Sequence, residues 1–301
     1  SPDIAPPGCA LEAAPSGRSP VLSVEGGSAL NMVPDACAAL VDLSPGADFL
    51  PAGFSASAFA ERAEALGGRL EQRGSGVAHV FRGGKSAFGS APEQGDNAIA
   101  RMLQILEPLY MADGGPRGRF LRFARQRVGF ETDGASLGIK MSDEVSGPLT
   151  ANMSFLRVDA SSARLHVDAR YPVTRGREAI EAAARRSADE YGLSVSPLSH
   201  RAPLYVKPDS PLVLALSRAY ESVTGEKAGL YGMGGATYAR VLRNNGVAFG
   251  PGGLPGGSSL PASLQRKGGT HQANECCVVA DMMRHAEICA AAILELANLY
   301  S

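Results

Sequence analysis

GPLTANMSFLRVDASSARLHVDARYPV, Gly147 to Val173, is the stretch on which the fold turns. It reads as two strands joined by a turn over Asp159 to Ser162. GREAIEAAARRSADEYG, Gly176 to Gly192, then places its apolar residues at helical spacing and stops at glycine. LSVSPLSHRAPLYV, Leu193 to Val206, is expected to supply a closing strand. Two strands, a helix and a strand make one α+β unit.

Upstream lies a similar unit. From Val21 the alternation is strand-like, and SASAFAERAEALGG, Ser55 to Gly68, gives a helix with a serine at its N-cap and glycines behind it. AHVFRGGKSAF, Ala78 to Phe88, is a strand and turn, and PEQGDNAIARMLQILEPLY, Pro92 to Tyr110, is a helix opening near Asp96. Between the units RGRFLRFARQRVGFETDGASLG, Arg117 to Gly138, carries much positive charge, read as a solvated helix face. Residues 1–20, rich in Pro, Ala, Gly and Ser and without periodicity, read as a linker or disordered segment. Past Pro208 the rhythm becomes that of an α/β layer. A helix begins at Ser210, a strand is expected around Val247 to Gly250, a glycine-rich connection follows, and a last helix spans Asp281 to Leu299. The division expected is 1–20, 21–207 and 208–301.

Composition excludes several classes. With 301 residues, 45% of them hydrophobic, the chain can build a sizeable core, and its net charge of −1 gives no general attraction to nucleic acid or anionic membranes. No apolar run approaches the ~20 residues of a membrane span. Five cysteines, with Cys276 and Cys277 adjacent, form a poor disulfide framework and suit a reducing cytoplasm. GGKSAF lacks the first glycine of a phosphate-binding loop, since His79 stands five residues before Gly84. His200 and Asp209 have no serine elbow to serve.

Five blocks, in order along the chain, carry a resemblance. They are EGGSALNMVPDACAAL (Glu25 to Leu40), GGKSAFGSAPEQGDNAIARML (Gly83 to Leu103), LHVDARYPV (Leu165 to Val173), GGATYARVLRNNGVAFGP (Gly234 to Pro251) and GTHQANECCVVADMM (Gly269 to Met283). Together they resemble the aminoacylase/carboxypeptidase family of zinc peptidases, in particular its PepV and carnosinase-type dipeptidases. The resemblance implies a ferredoxin-like double-repeat lid domain followed by the C-terminal part of an α/β catalytic domain. It also implies two zinc ions in an intact member and a short peptide as substrate. On this resemblance the chain starts almost at the lid, so most metal ligands are expected from an N-terminal half, and cover for the C-terminal segment from that half, a second copy of the chain or other polypeptide.

The family's last metal ligand would be His271, with Asn274 and Glu275 orienting its loop. One imidazole cannot hold zinc, which takes about three or four protein ligands, so for this chain alone His271 reads more readily as a hydrogen-bonded loop histidine. Arg170 matches the lid arginine that grips a terminal carboxylate, and Asn31 a lid amide that reaches the same end of the substrate or the scissile carbonyl. On residue type alone Arg170 is equally a surface strand charge and Asn31 a turn residue. Gly234, Gly235 and Thr237 would line the pocket with backbone N–H groups, or simply form a tight turn. Phe88 departs from the family's Gly-Lys-x-Ala-His loop at the oxyanion-donating histidine, a loss worth about a hundredfold or more in rate. Two functions follow: part of a zinc-dependent dipeptidase, inactive as this chain alone, or a non-catalytic peptide-binding or assembly module derived from that family.

Overall fold

Alternation in Ala36–Asp42 sends Cys37, Ala39 and Val41 into the interior and leaves their neighbours half-exposed, which makes this segment a one-sided strand. The same logic builds most of an eight-stranded sheet in the computed structural model, which describes residues 8–13, 17–196, 199–235, 237–250 and 278–300. Its strands are β1 (Gly8–Ala13), β2 (Val21–Gly26), β3 (Ala36–Asp42), β4 (Gly68–Gln72), β5 (Val77–Gly83), β8 (Thr150–Val158), β9 (Ala163–Arg170) and β10 (Ser194–Val195). A separate two-residue ribbon pairs β6 (Ser142–Asp143) with β7 (Gly147–Pro148). The order across the sheet is β10-β1-β9-β8-β2-β3-β5-β4, and every neighbouring pair is antiparallel.

The helices are α1 (Ala56–Ala65), α2 (Ala98–Ala112), α3 (Pro116–Phe123), α4 (Arg177–Asp189), α5 (Pro211–Thr224) and α6 (Val279–Tyr300). The α2 helix is the centre of the first core. Ile99, Leu103, Leu106 and Tyr110 are buried with Phe120 and Phe123 from α3. Asn97 starts α2, its side-chain oxygen accepting from the N–H groups of Ile99 and Ala100 at 3.0 and 3.1 Å. Pro108 inside α2 has no N–H for the Gln104 carbonyl, and Arg62 of α1 supplies the donor instead at 2.7 Å. A proline that would weaken an isolated helix thus becomes a tie between two helices.

The mixture of α and β is as the sequence implies, with three corrections. The segment expected as a linker contains β1, which pairs with both β9 and β10. Its role explains why. In the first half the sheet order is β2, β3, β5, β4, and in the second it is β8, β9, β1, β10, so β1 fills the place that β5 fills opposite. Backbone N–H and C=O groups of β9 would otherwise face an open gap, and pairing through them makes little demand on side chains. Second, the closing strand expected over Leu193 to Val206 shrinks to Ser194–Val195. Third, Val247 to Gly250 is not a strand: no neighbouring backbone pairs with it among the described residues, and Val247 and Phe249 pack as half-buried side chains instead.

The chain divides into two units, Ser1–Pro203 and Leu204–Ser301. In the second, Ser210 caps α5, accepting from the Val213 N–H at 3.3 Å, and Gly225 ends it in the left-handed conformation. α6 packs on α5 around Leu216, Ala219 and Ala292. That core is small. Tyr231, Tyr238, Val241 and Met283 of the same unit are exposed.

Candidate substrate-binding site

The loop after β5 is fixed at both ends by backbone pairing. Lys85 and Asp96 exchange N–H···O bonds of 2.9 Å in both directions. The Val33 N–H donates to the Ala87 carbonyl, and the Gly89 N–H to the Asn31 carbonyl, each at 2.8 Å. Met32 and Phe88 form an isolated bridge between these contacts. From the other side the Thr150 hydroxyl at the start of β8 donates to the Gly89 carbonyl at 3.2 Å. Asn152, one pleat further, donates to the Met32 carbonyl at 2.8 Å.

Into this frame β9 directs His166, Asp168 and Arg170, which lie on one face because side chains two apart in a strand point the same way. Both Nε and Nη2 of Arg170 donate to Asp168 Oδ2, at 3.2 and 2.9 Å. The Asp168 side chain is 0% exposed and that of Arg170 14%. A Cβ on Gly89 would stand 1.9 Å from the same Oδ2, so only glycine permits this approach. Burial raises the Asp168 pKa, and the Arg170 guanidinium offsets part of that rise. Among the described residues Asp168 Oδ1 is buried without a hydrogen-bond partner.

Behind this pair the interior stays polar. His166 Nδ1 lies 2.7 Å from the Ser154 hydroxyl, and burial alone pushes the imidazole pKa down to about 4, so it is neutral at pH 7. Asn97 donates to the Asn152 side chain and to the Met153 carbonyl, at 3.0 and 2.7 Å. Tyr171, next to Arg170, has its hydroxyl hydrogen-bonded to His200 Nε2, and their rings stack at 5.9 Å.

The structure links Asn31 to Arg170 through Gly89 and Asp168, and Phe88, 36% exposed, precedes Gly89 in the loop. Asn31 takes part through its carbonyl, and its side chain lies in an exposed turn. Gly234, Gly235 and Thr237 belong to the second unit, where Thr237 precedes a 3-10 segment over Tyr238–Asn245 and makes no side-chain cap. His271, Asn274 and Glu275 lie outside the described residues. Asp168 and Gly89 were not singled out from the sequence. A carboxylate two residues before a strand arginine is the signal that could have found Asp168, because that spacing puts both on one face.

Zinc needs a donor set that converges. Among the described residues no group of three or more His, Cys, Asp or Glu side chains could hold a metal ion, so the ligands visible here do not fit one and no step is derived through zinc.

No family model matches the chain. It is 32% identical over 282 residues to a Bacillus subtilis (strain 168) protein named Putative dipeptidase YtjP, covering 93% of this chain and 56% of that protein. A Staphylococcus saprophyticus protein named Putative dipeptidase SSP1012 is 32% identical over 180 residues, covering 58% of this chain and 37% of that protein. The chain thus spans about half the length of the first of these relatives, and less of the second. A solved aminoacylhistidine dipeptidase from Vibrio alginolyticus aligns with a TM-score of 0.26 and 13% identity over 75% of this chain and 52% of that one, a likeness too low to carry an argument.

Proposed function

This chain is a homologue of proteins named as dipeptidases, related along nearly all of its own length, and from that premise we propose that it is the substrate-gripping part of a zinc-dependent dipeptidase that hydrolyses the peptide bond of short peptides. In this reading the first unit is the lid, Arg170 holds the peptide's terminal carboxylate, and Asn31 lies at the same end. The observation that carries the reading is the Arg170–Asp168–Gly89–Asn31 chain of contacts. It sets a half-buried guanidinium beside the loop that bears Phe88. A planar guanidinium can take a carboxylate through two parallel hydrogen bonds, and partial burial strengthens such a pair.

In an intact enzyme of this reading, zinc would be held by His271 together with ligands from other polypeptide. Gly234, Gly235 and Thr237 would offer backbone N–H groups to the same substrate. The exposed apolar side chains of the second unit support a covering partner, either polypeptide equivalent to the remainder of the relatives or a second copy of this chain. No described helix is long and apolar enough to cross a membrane. Free thiols at Cys37 and Cys289 agree with a cytoplasmic setting.

Phe88 favours a second reading, a peptide-binding or assembly module without turnover, because a phenyl ring cannot donate to an oxyanion. Calorimetric titration of the chain with alanyl-alanine and with its C-terminal amide tests the shared claim. The acid should bind at least about tenfold more tightly, and Arg170→Ala should abolish the difference. Equal affinity for both ligands would exclude carboxylate recognition by Arg170. Adding polypeptide equivalent to the remainder of the relatives together with zinc, then following release of alanine, separates enzyme from module.

A further inference from the structure

We propose that Asp168 is a positioning residue for peptide-carboxylate recognition, a post that sets the plane of the Arg170 guanidinium and ties it to the Phe88 loop through the bare Cα of Gly89. This rests on the reading of Arg170 given above and assigns a role to the two residues that hold it, Asp168 and Gly89. One carboxylate oxygen, Asp168 Oδ2, accepts from both Nε and Nη2 of Arg170, which fixes the orientation of the fork as well as its place. The post is stiff. Asp168 sits inside β9, paired to Gly8 of β1 on one side and to Asn152 of β8 on the other, and its side chain is wholly buried. Gly89 completes the link, because the loop can rest on the carboxylate only where no Cβ intervenes.

A purely structural role explains this arrangement poorly. A buried carboxylate with one oxygen unpaired among the described residues carries a desolvation cost that an apolar pair of the same size would avoid. Costs of that kind gather where a charge must be held ready for a ligand. The polar surroundings on the same face, Ser154, His166 and Asn152, are neutral, so the electrostatic hold on Arg170 within this row comes from Asp168.

The test uses the intact chain labelled with ¹⁵N and reads the Arg170 Nε–Hε resonance, assigned with Arg170→Lys. It should exchange slowly with solvent, and Asp168→Asn should speed that exchange by at least about tenfold through loss of the charged acceptor. Calorimetry on the same variant should show alanyl-alanine weakened about tenfold and its amide unchanged. If Asp168→Asn does not fold, Gly89→Ala is read in the same way, since its methyl group must displace the carboxylate. The proposal is overturned by an unprotected Arg170 resonance in the unmodified chain, by unchanged exchange in the variants, or by equal weakening of acid and amide. Should the unmodified chain bind neither ligand, carboxylate recognition by Arg170 fails and positioning for it fails too. Slow exchange that depends on Asp168 would then leave only a structural ion pair.

Discussion

The two units bury their apolar surface to very different extents. In Ser1–Pro203 the sheet is covered by α2, α3 and α4, and α2 alone contributes a run of fully buried side chains. Among the described residues of Leu204–Ser301 two helices share a core of Leu216, Ala219 and Ala292, while Tyr238 is 96% exposed. A unit that closes over its own core can hold a guanidinium and a carboxylate in fixed register. The apolar surface exposed among the described residues of the second unit is what supports the proposal of a covering partner.

The largest expected effect comes from cutting into the first core. Phe120 of α3 is 0% exposed. Phe120→Ala should cost ~3–5 kcal/mol in urea unfolding, whereas Tyr238→Ala should stay within ~0.5 kcal/mol. A comparable loss at Tyr238 would mean that the second unit buries that ring and that the contrast is false.

Acid should weaken the first unit through His166. Its folded pKa is about 4 because of burial, against about 6.5 for an unperturbed histidine. Between those values the unfolded chain takes a proton that the folded chain refuses. Stability is therefore full above pH ~6.5 and falls by up to about 3 kcal/mol as the pH drops to ~4. Asp168, whose pKa burial raises, acts in the opposite sense below its folded value, so the comparison must be made with His166→Gln. Urea unfolding at a series of pH values should show a shallower slope in that variant. An identical slope would rule out the buried neutral histidine.

How much of this was readable beforehand follows from which forces act locally. The β8–β9 hairpin was legible because alternation and the Asp159 turn are properties of neighbouring residues, and Asp159 accepts from the Ser161 and Ser162 N–H groups as such a turn requires. β1 was not legible, since its place is set by a gap in a sheet formed more than a hundred residues later in the chain. Val247 and Phe249 look like a strand by composition, yet a strand exists only where another backbone pairs with it. At the candidate site, Arg170 and Asn31 are singled out by the resemblance alone. Asp168 was missed because a lone strand aspartate looks the same whether it faces solvent or an arginine. Nothing local in the sequence indicates the bond of His166 to Ser154.

Helix caps sharpen the contrast at smaller scale. Asn97 caps α2 and also donates to Asn152 and Met153, so Asn97→Ala should cost ~2 kcal/mol. Ser210, which makes one cap bond on α5, should cost ~1 kcal/mol when changed to Ala. Equal losses in chemical unfolding would remove the distinction between a cap woven into a core and one at a surface. Smaller still, the exposed Arg218–Glu295 pair at 2.9 Å joins α5 to α6, and Arg218→Ala should change stability by less than ~0.5 kcal/mol. A double-mutant cycle with Glu295→Ala giving a larger coupling would show that the pair is shielded by a partner.

The most direct measurement is hydrogen–deuterium exchange on the intact chain, because it reports opening residue by residue. Amides of β3, β8, β9 and α2 should exchange slowest, and those of α5 and α6 on the order of a hundredfold faster or more, as expected when one unit opens independently of the other. Uniform slow exchange across both units of a monomeric chain would contradict the account.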